Sequence, residues 1–403
     1  MKKPNYAWKN IEKRNFLFFV LTPVAAVLLT WLHIELEGFN PWLIPWAIGF
    51  YVLTTISTTA GYHRLFSHRA YKANNLVKAL FLFFGGGAFQ ESALKWGTDH
   101  RRHHTKVDSD EDPYTISKGF FYAHIGWIFL KDESKHTGKF AKDLENDPLV
   151  KWQFDHYLAV AITAGFIVPM LIGFALGSPI GGLAIIGFVK TVLQHHMTFL
   201  INSACHMWGR QPYTDTNTAK DSITMAVATM GEGYHNFHHY FQADYRNGIR
   251  WYHWDPTKWL INTFYSLGWA WDLRITPDSE ILKAKMEMDQ KRLALKLEKK
   301  THTKIDLSKF ELPKFEMPQF DMSKFEMMKF DGPKLQALKE QVQTAQKNFQ
   351  ELKKQYALAK EQVGKDSKKK LEEIKANIRL AKIEFKAAYA QWHLYLDTMG
   401  QLA

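Results

Sequence analysis

Apolar residues gather in four long runs within the first half of the chain. Each run approaches the roughly 20 residues that a helix needs to cross about 30 Å of hydrocarbon. The pattern therefore predicts four membrane-spanning helices, at residues 16–33, 42–59, 157–176 and 180–200. A further apolar run at residues 76–89 is short for a span, and we expect it to be interfacial or buried.

The charged residues beside these runs predict their orientation. The segment 1–15 carries five basic residues against Glu12, whereas the link between the first two spans carries Glu35 and Glu37. The link between the last two spans, around residues 177–182, carries no charge. Because basic segments beside spans stay in the cytoplasm, we expect a multi-pass membrane protein with both termini on the cytoplasmic side.

The membrane pattern ends near Thr276, and a five-residue repeat follows it. The repeat covers residues 306–335, and three of its units contain proline. A period of five fits neither a helix nor a strand. We predict an extended basic linker over residues 283–334, in which the phenylalanines beside lysines also suit a membrane surface.

Residues 335–403 show the alternating three and four spacing of apolar residues that is typical of coiled-coil helices. The glycine-containing break at residues 364–367 suits a turn. We predict an antiparallel helical hairpin about 40 Å long, with pairing between chains as the alternative. The spaced residues are Leu335, Leu338, Val342, Ala345, Phe349, Leu352, Tyr356, Ala359, Val363, then Leu371, Ile374, Ile378, Ala381, Phe385, Ala388, Trp392 and Tyr395.

Composition agrees with a membrane part joined to a polar tail. The 403 residues are 46% hydrophobic, yet the mean hydropathy is −0.29. Residues 283–403 hold 26 Lys and Arg against 17 Asp and Glu, so +9 of the net charge of +12 belongs to the tail. This excess predicts contact with acidic lipid headgroups; nucleic acid is disfavoured because no arginine-rich binding module is present. The single cysteine, Cys205, excludes intrachain disulfides and a cysteine-ligated iron–sulfur site.

Nine of the eighteen histidines fall into four clusters, each next to an apolar run. They are His63 and His68; His100, His103 and His104; His206; and His235, His238 and His239. Neutral imidazole binds iron and other first-row metals well, and nine such groups exceed what one ion needs. With the predicted topology, all four clusters lie on the cytoplasmic side. The sequence therefore predicts a two-metal oxidation enzyme.

The spacing within the clusters supports this interpretation. Residues three or four apart share one face of a helix, as in 100–104, in 235–239 and in the pair Asn202 and His206. His63 and His68 are five apart, so a distorted or ending helix is expected there. A lone histidine is more often a surface or core residue, and we expect His195 to belong to a packed polar seam in the fourth span at least as readily as to the chemistry.

These motifs resemble the histidine boxes of a known family. Residues 61–72, 100–104 and 232–239 are similar to the three boxes of membrane fatty acyl desaturases, and most of all to the acyl-CoA branch of delta-9, stearoyl-CoA-like enzymes. Residues 202–206 resemble that branch's fourth metal-binding element, and residues 123–127 a motif after the second box. The resemblance covers about residues 15–275 and leaves out the tail.

The resemblance implies a di-iron centre with a defined ligand set. One iron is expected on His63, His68, His100, His104 and His238, and the other on His103, His206, His235 and His239, with Asn202 reaching the second through a water. Zinc is expected as a substitute in purified protein. Asp99, Asp108 and Asp110 are candidates for hydrogen-bonding the ligand rings, and His124 for a structural or supporting role. No catalytic residue beyond the metal centre is expected.

The implied activity is the introduction of a cis double bond into a long saturated acyl chain with dioxygen and two electrons. A narrow apolar tunnel, bent at the metals, is expected to hold the chain. Substrate contacts are expected at Trp96, Asp99 and Lys131. The chain departs from the animal acyl-CoA enzymes at Thr98, where they have an arginine, and Lys131 is half of an expected basic pair. Acyl-CoA is therefore the first choice, with carrier-protein-bound or lipid-bound chains as alternatives.

No flavin, nicotinamide or haem motif is present, so an external electron donor is implied. A ferredoxin, flavodoxin, cytochrome b5 or reductase is expected to dock on the basic cytoplasmic face. A histidine-box hydroxylase or ketolase is the rival enzyme, and a non-catalytic membrane scaffold is the rival outside catalysis. Together the patterns predict an all-α, four-transmembrane-helix protein with a cytoplasmic di-metal cap. Its parts are an N-terminal segment 1–15, a membrane domain 16–282, a linker 283–334 and a hairpin 335–403 that docks a partner or self-associates.

Overall fold

The computed structural model describes residues 4–131, 139–301, 332–361 and 367–402. The chain divides into two compact units. The first comprises Met1–Gln211 and Asp215–Thr276, and the second Pro212–Thr214 and Pro277–Ala403. In chain order the main helices of the first unit are α1 (Lys13–Glu37), α2 (Leu43–Ser67), α3 (Asn75–Gly86), α4 (Ala93–Lys106), α5 (Pro148–Asp155), α6 (Tyr157–Ala175), α7 (Pro179–Met207), α8 (Ile223–Ala228), α9 (His235–Tyr240) and α10 (Pro256–Ser266). Shorter helical turns lie at Trp8–Asn10, Ile116–Lys118, Tyr122–Gly126, Trp127–Phe129 and Lys142–Glu145.

Four helices in the described part are long and apolar enough to cross a membrane, namely α1, α2, α6 and α7. Each matches one predicted span: α1 and α7 extend beyond it at both ends, α2 begins one residue later and ends later, and α6 ends one residue earlier. The prediction is therefore confirmed at the level of length and composition. Their outer faces carry exposed apolar side chains, for example Val27 at 69% and Phe174 at 72%. Such exposure suits lipid contact, because hydrocarbon chains replace the missing protein neighbours.

The spans pack closely where small residues meet. A Cβ added to Gly173 of α6 would lie 2.5 Å from the Cα of Gly182 in α7. The start of α7 is capped by α1, because the Glu37 carboxylate accepts the N–H of Ile180 at 2.9 Å and of Gly181 at 3.0 Å. These are N–H groups that a helix cannot satisfy internally. These contacts hold α1, α6 and α7 together at the end remote from the nine clustered histidines.

The short apolar run forms α3, which has twelve residues and is too short to span. Asn74 caps its start by accepting the Val77 N–H at 3.0 Å. Val77, Phe81 and Leu82 are buried against the core that includes the end of α2. The prediction of an interfacial or buried helix is thus confirmed for one face.

The mainly helical first unit also contains an antiparallel sheet of two strands, each two residues long. Lys72–Ala73 pairs with Ala270–Trp271, with Lys72 opposite Trp271. The predicted all-α class is therefore correct only in the main. The strand pair ties the chain after α2 to the end of the membrane unit, and this contact between distant segments has no local sequence signal.

The second unit is built on α11 (Asp278–Thr301), α12 (Gly332–Glu361) and α13 (Ser367–Leu402). Its core is formed by Leu282, Met286, Leu335, Val342, Ala388, Trp392 and Leu396. Lys334 at the start of α12 lies over the ring of Tyr395, near the end of α13. Many of the predicted heptad residues therefore supply this core, whereas the turn at residues 362–366 lies outside the described residues.

The linker prediction over residues 283–334 needs correction at its start. The structure has the helix α11 up to Thr301, and the predicted boundary at residue 282 falls inside it. Residues 278–301 contain no glycine or proline and are rich in Lys, Glu, Leu, Met and Ala, which favour helix. Most of the five-residue repeat, at residues 306–331, lies outside the described residues.

Candidate metal centre

The nine histidines come together in two groups. The five-histidine group is His63, His68, His100, His104 and His238, and the four-histidine group is His103, His206, His235 and His239. Within each group the available ring nitrogens lie within 4.8 Å of one another. The membership of the two groups is that of the two predicted ligand sets, and α2, α4, α7 and α9 all contribute.

In the five-histidine group the Nε2 atoms point toward one another. The Nε2 of His238 lies 2.9 Å from that of His63 and 3.0 Å from that of His104. The Nε2 atoms of His68 and His100 are 2.9 Å apart. Two nitrogens bound at right angles to an ion, each at about 2.1 Å, are separated by about 3.0 Å. The spacing therefore suits ligands around a single ion.

The four-histidine group has the same arrangement. The Nε2 of His235 lies 3.1 Å from that of His206 and 3.1 Å from that of His239. The Nε2 atoms of His103 and His239 are 3.3 Å apart. Neutral imidazoles cannot all donate to one another, because each ring has one N–H. Convergence of so many Nε2 atoms is instead the arrangement expected around a cation.

The end of α2 explains how two histidines five apart enter the same group. Residues Ser57–Ser67 are π-helical, and the His68 N–H donates to the His63 carbonyl oxygen at 3.0 Å. In a π-helix residues five apart lie one turn apart, so the two rings share a face, with centroids 4.8 Å apart. The predicted distorted, ending helix is confirmed.

The single helix α4 serves both groups. His100 and His104 lie one turn apart and join the five-histidine group, whereas His103 between them joins the other. The ring of Trp96, a further turn toward the helix start, stacks on His100 with centroids 4.8 Å apart. Ser92 caps the helix by accepting the Lys95 N–H. The short helix thus fixes the spacing between the two candidate metal positions.

The fourth cluster lies on α9, which is held at its start by an aspartate from another segment. Asp221 Oδ1 accepts the N–H groups of Asn236 at 2.8 Å and of Phe237 at 3.1 Å. These are the N–H groups that the first turn leaves unsatisfied. One histidine of α9, His238, then faces the five-histidine group, and the other two face the four-histidine group.

Two buried carboxylates orient the rings from behind. Glu232 Oε2 lies 2.9 Å from the Nδ1 of His63, and Asp112 Oδ1 lies 2.8 Å from the Nδ1 of His103. A carboxylate accepts, so the His103 Nδ1 carries the hydrogen of this bond and its Nε2 keeps a lone pair for a metal. Glu232 lies beside the His63 Nδ1 as its neighbouring carboxylate. Neither acid was predicted for this role from the sequence, although Glu232 is the first residue of the box 232–239 and Asp112 lies eight residues after His104.

The acids that were proposed for this role are placed differently. Asp108 acts through Thr218, whose hydroxyl lies 2.7 Å from the Nδ1 of His206 and donates to Asp108 at 2.7 Å. Asp99 lies 3.7 Å from Arg102. Asp110 is exposed. Only Asp108 of the three is therefore coupled to a ligand ring by a described contact.

The protonation states fit a cation site. Burial, with a smaller contribution from adjacent rings, lowers the pKa of His68, His100 and His104 well below the ordinary value. Burial alone would raise the pKa of Glu232, but the neighbouring His63 and Arg64 lower it to about 2. At neutral pH these three imidazoles are therefore neutral, and the Glu232 carboxylate is ionised. Such donors suit first-row transition metals, iron and zinc among them.

A cavity of about 1010 Å³ adjoins the two groups. All four spans line it, and His63, His100, His103 and His235 lie on its wall. Its volume is at the upper end of what small-molecule sites show, roughly 300–1,000 Å³. The apolar part of the wall contains Phe18, Phe19, Phe89, Phe166 and Phe199. The cavity therefore offers room for a long apolar ligand beside the histidines.

The residues predicted to contact substrate all line this cavity. They are Trp96, Asp99 and Lys131. Asn202, which was predicted to reach a metal through a water, and Thr98 line the cavity as well. Lys131 donates to the Lys9 carbonyl oxygen at 2.9 Å. Five basic side chains line the cavity, namely Arg14, Lys95, Arg102, Lys131 and Lys139. Three of them are paired with acids that also line the cavity: Arg14 with Glu12, Lys95 with Glu91 and Arg102 with Asp99.

The remaining histidines singled out by the sequence lie outside both groups. His124 Nε2 is 3.1 Å from the Nδ1 of His196, and its Nδ1 is 3.1 Å from the Ser203 hydroxyl, which suits a structural role. His195 is buried and donates to the Ala88 carbonyl oxygen at 2.9 Å. The expectation of a packed polar seam is met at His195.

Comparison with known proteins gives consistent matches. The fatty acid desaturase family model matches residues 40–273. A probable acyl-CoA desaturase of Schizosaccharomyces pombe is 43% identical over 247 residues, 61% of this chain and 52% of that protein. Acyl-CoA desaturase 1 of Saccharomyces cerevisiae is 38% identical over 61% of this chain and 49% of that protein. The acyl-CoA Delta-9 desaturase of Acheta domesticus is 33% identical over 70% of this chain and 80% of that protein. The chain thus spans about half the length of the two fungal relatives.

Proposed function

The chain belongs to the fatty acid desaturase family, and from this premise we propose that it is a membrane-bound acyl-CoA desaturase. Its reaction would place a cis double bond in a long saturated acyl chain, at the delta-9 position. The observation that carries the proposal is the convergence of nine histidine side chains in two groups on the wall of one large cavity. The names of the relatives support acyl-CoA as the substrate class.

We assign one iron to the five-histidine group and a second to the four-histidine group, with Asn202 reaching the second through a water. When bound, such a pair would supply the oxidising power to remove two hydrogens from adjacent methylenes, with dioxygen, two electrons and two protons consumed and two molecules of water formed. The role of Glu232 and Asp112 is to hold the rings of His63 and His103 with Nε2 toward the metal.

The cavity wall positions the acyl chain in this proposal. Its phenylalanines exclude water and hold the methylenes in contact with the wall, and Trp96 keeps the His100 ring in place by stacking. Lys131 and Asp99 contact the carrier near the cavity's charged residues. A narrow tunnel that bends at the metals would fix which carbon pair lies beside them.

We further propose that the four apolar helices cross the membrane with both termini and the histidines on the cytoplasmic side. An acidic electron donor, such as a ferredoxin, flavodoxin or cytochrome b5, would dock by electrostatic attraction to the basic cytoplasmic face. In the second unit, α12 and α13 would form an antiparallel hairpin, supported by Lys334 lying over Tyr395. This hairpin would bind a partner or self-associate.

The test is expression in a host that makes no unsaturated fatty acids, followed by mass spectrometry of its lipids. We expect acyl chains that are lighter by two hydrogens, with fragmentation locating the double bond between carbons nine and ten. His103→Ala should remove the product. Chains that are instead heavier by one oxygen atom would favour a hydroxylase, and unchanged lipids at normal protein levels would contradict the proposal.

A further inference from the structure

The loop that follows α3 has an unusual backbone and lines the cavity. Phe89 has a φ of 52° and Glu91 a φ of 75°, and both residues lie on the cavity wall. The left-handed region is disfavoured for residues with a side chain, and a bulky aromatic residue there is a genuine outlier. Strain of this kind persists only where surrounding contacts impose it. The contacts that hold this loop come from α7.

Two buried polar side chains of α7 donate hydrogen bonds to the loop just before Phe89. The Lys190 Nζ donates to the Gly87 carbonyl oxygen at 3.1 Å, and the His195 Nε2 donates to the next carbonyl oxygen, that of Ala88, at 2.9 Å. Lys190 is 2% exposed and His195 is 3% exposed. Both lie within an apolar span, where polar groups are costly to bury and usually have a specific role.

The surroundings of Lys190 direct it toward the loop. The described part of the chain shows no ion pair between Lys190 and a carboxylate. Its ammonium instead lies 3.4 Å from Gln194 Oε1, which also accepts the Thr54 hydroxyl at 2.9 Å, and 5.5 Å from the centre of the Phe50 ring. The Gly87 carbonyl oxygen lies at the carboxyl end of α3, where the helix dipole is negative. This oxygen and Gln194 Oε1 are therefore the acceptors that direct the Lys190 side chain.

These two hydrogen bonds affect where the Phe89 ring lies in the cavity wall. The Phe89 ring packs against Phe166 of α6, with centroids 4.6 Å apart, and against Phe18 of α1, with centroids 5.6 Å apart. Gly165 gives the ring space, because a Cβ there would overlap it. Phe89 thus shapes the wall of the cavity that four of the nine histidines also line. The backbone just before Phe89 is held by Lys190 and His195.

We propose that Lys190 and His195 are positioning residues that hold Phe89 in the cavity wall and thereby select which acyl chains fit and which carbon pair lies at the metals. The inference rests on the proposed function, because it concerns the selectivity of that same cavity. Neither residue touches the acyl chain. Both act through the backbone of Gly87 and Ala88.

The experiment uses the full chain with Lys190→Met, the conservative Lys190→Arg, and His195→Leu. Thr191→Val is the matched control, because Thr191 is fully buried on the same helix and its hydroxyl has no hydrogen-bond partner among the described residues. Phe89→Leu changes the wall directly. Two readouts are taken: competition between saturated acyl-CoAs differing by two carbons for the purified protein, and the chain lengths and double-bond positions of products in the lipid assay.

We expect Lys190→Met and His195→Leu to keep the metal content and to change the preference between chain lengths by about tenfold, since misplacement of a reacting group by about 1 Å can cost 10²-fold. Phe89→Leu should change it in the same direction, Lys190→Arg should restore most of the wild-type profile, and Thr191→Val should leave it unchanged. Should Lys190→Met fail to fold, His195→Leu and Phe89→Leu still decide the matter.

The inference is overturned if the chain profiles of Lys190→Met, His195→Leu and Phe89→Leu match the wild type, or if Thr191→Val shifts the profile as much. Failure of the proposed function gives a different result. The wild type would then yield no unsaturated product, while the competition assay would still report whether the variants alter the chain-length preference of the cavity.

Discussion

Replacing Glu232 by glutamine should weaken metal binding by the five-histidine group. The carboxylate is 3% exposed, lies 2.9 Å from His63 Nδ1, and accepts hydrogen bonds from Arg64 Nη2 at 2.9 Å and Asn247 Nδ2 at 2.8 Å. Glutamine has the same shape but one oxygen and one NH₂ group. Whichever way its amide turns, it presents a donor to a donor. One side of the network must therefore lose its hydrogen bond.

The size of the effect can be worked from these contacts. A hydrogen bond to a charged group contributes about 1.5–3 kcal/mol, and loss of a residue that orients a metal ligand typically costs about 10–100-fold in metal affinity. The two figures agree, because about 1.4 kcal/mol corresponds to a factor of ten. Arg64 keeps Asp255 at 3.0 Å, so the protein should still fold. We therefore expect a loss of roughly 10–100-fold in affinity at one of the two metal positions.

The assay is competition with a chelator, followed by elemental analysis of the protein purified in detergent. Asp244→Asn is the matched control, because Asp244 is equally buried and pairs with Arg246 at 2.8 Å instead of a histidine. The variant should lose about half of the metal at a chelator concentration that leaves the wild type and the control loaded. If Glu232→Gln resists the chelator as well as the wild type, or if Asp244→Asn loses as much metal, the orienting role of Glu232 is wrong.

Four further outcomes follow from the same structure. Asp112→Asn should weaken the four-histidine group by a similar factor of about 10–100, and the same chelator assay would contradict this by showing unchanged retention. Thr58→Phe adds volume to the cavity wall and should shorten the preferred acyl chain in the lipid assay; an unchanged chain length would count against the acyl site. Gly173→Ala should destabilise the protein by about 1–3 kcal/mol, seen as a lower melting temperature in detergent, because its Cβ would lie 2.5 Å from the Cα of Gly182. Deletion of residues 300–403 should leave the metal content intact, and loss of both metals would refute the division of the chain.

The nine clustered histidines could be predicted from the sequence because their signals are local. Residues three and four apart share a helix face whatever surrounds the helix, so α4 and α9 could be predicted as ligand-bearing. The five-residue spacing of His63 and His68 required a distorted helix, and the structure supplies a π-helix there. The helix of residues 278–301 was missed although its composition favours helix, because the neighbouring repeat dominated the interpretation.

The contacts behind the ligands were not accessible in the same way. Glu232 reaches His63, and Asp112 reaches His103, only because separate segments pack together. An acid near a histidine box carries no sign of which ring nitrogen it will meet. The hydrogen bond from Lys190 to the Gly87 carbonyl oxygen also has no local sequence signal, because it joins residues about a hundred positions apart.

The sequence alone determined the four apolar helices, the nine histidines, their helical spacing and the polar tail, because each depends on length, periodicity or residue type over a short stretch. Tertiary structure decided which histidines meet in which group, which nitrogen of each ring faces inward and what lines the cavity. These properties depend on packing between segments that are distant in the chain. A shift of a few tenths of an ångström between such segments decides whether two atoms touch.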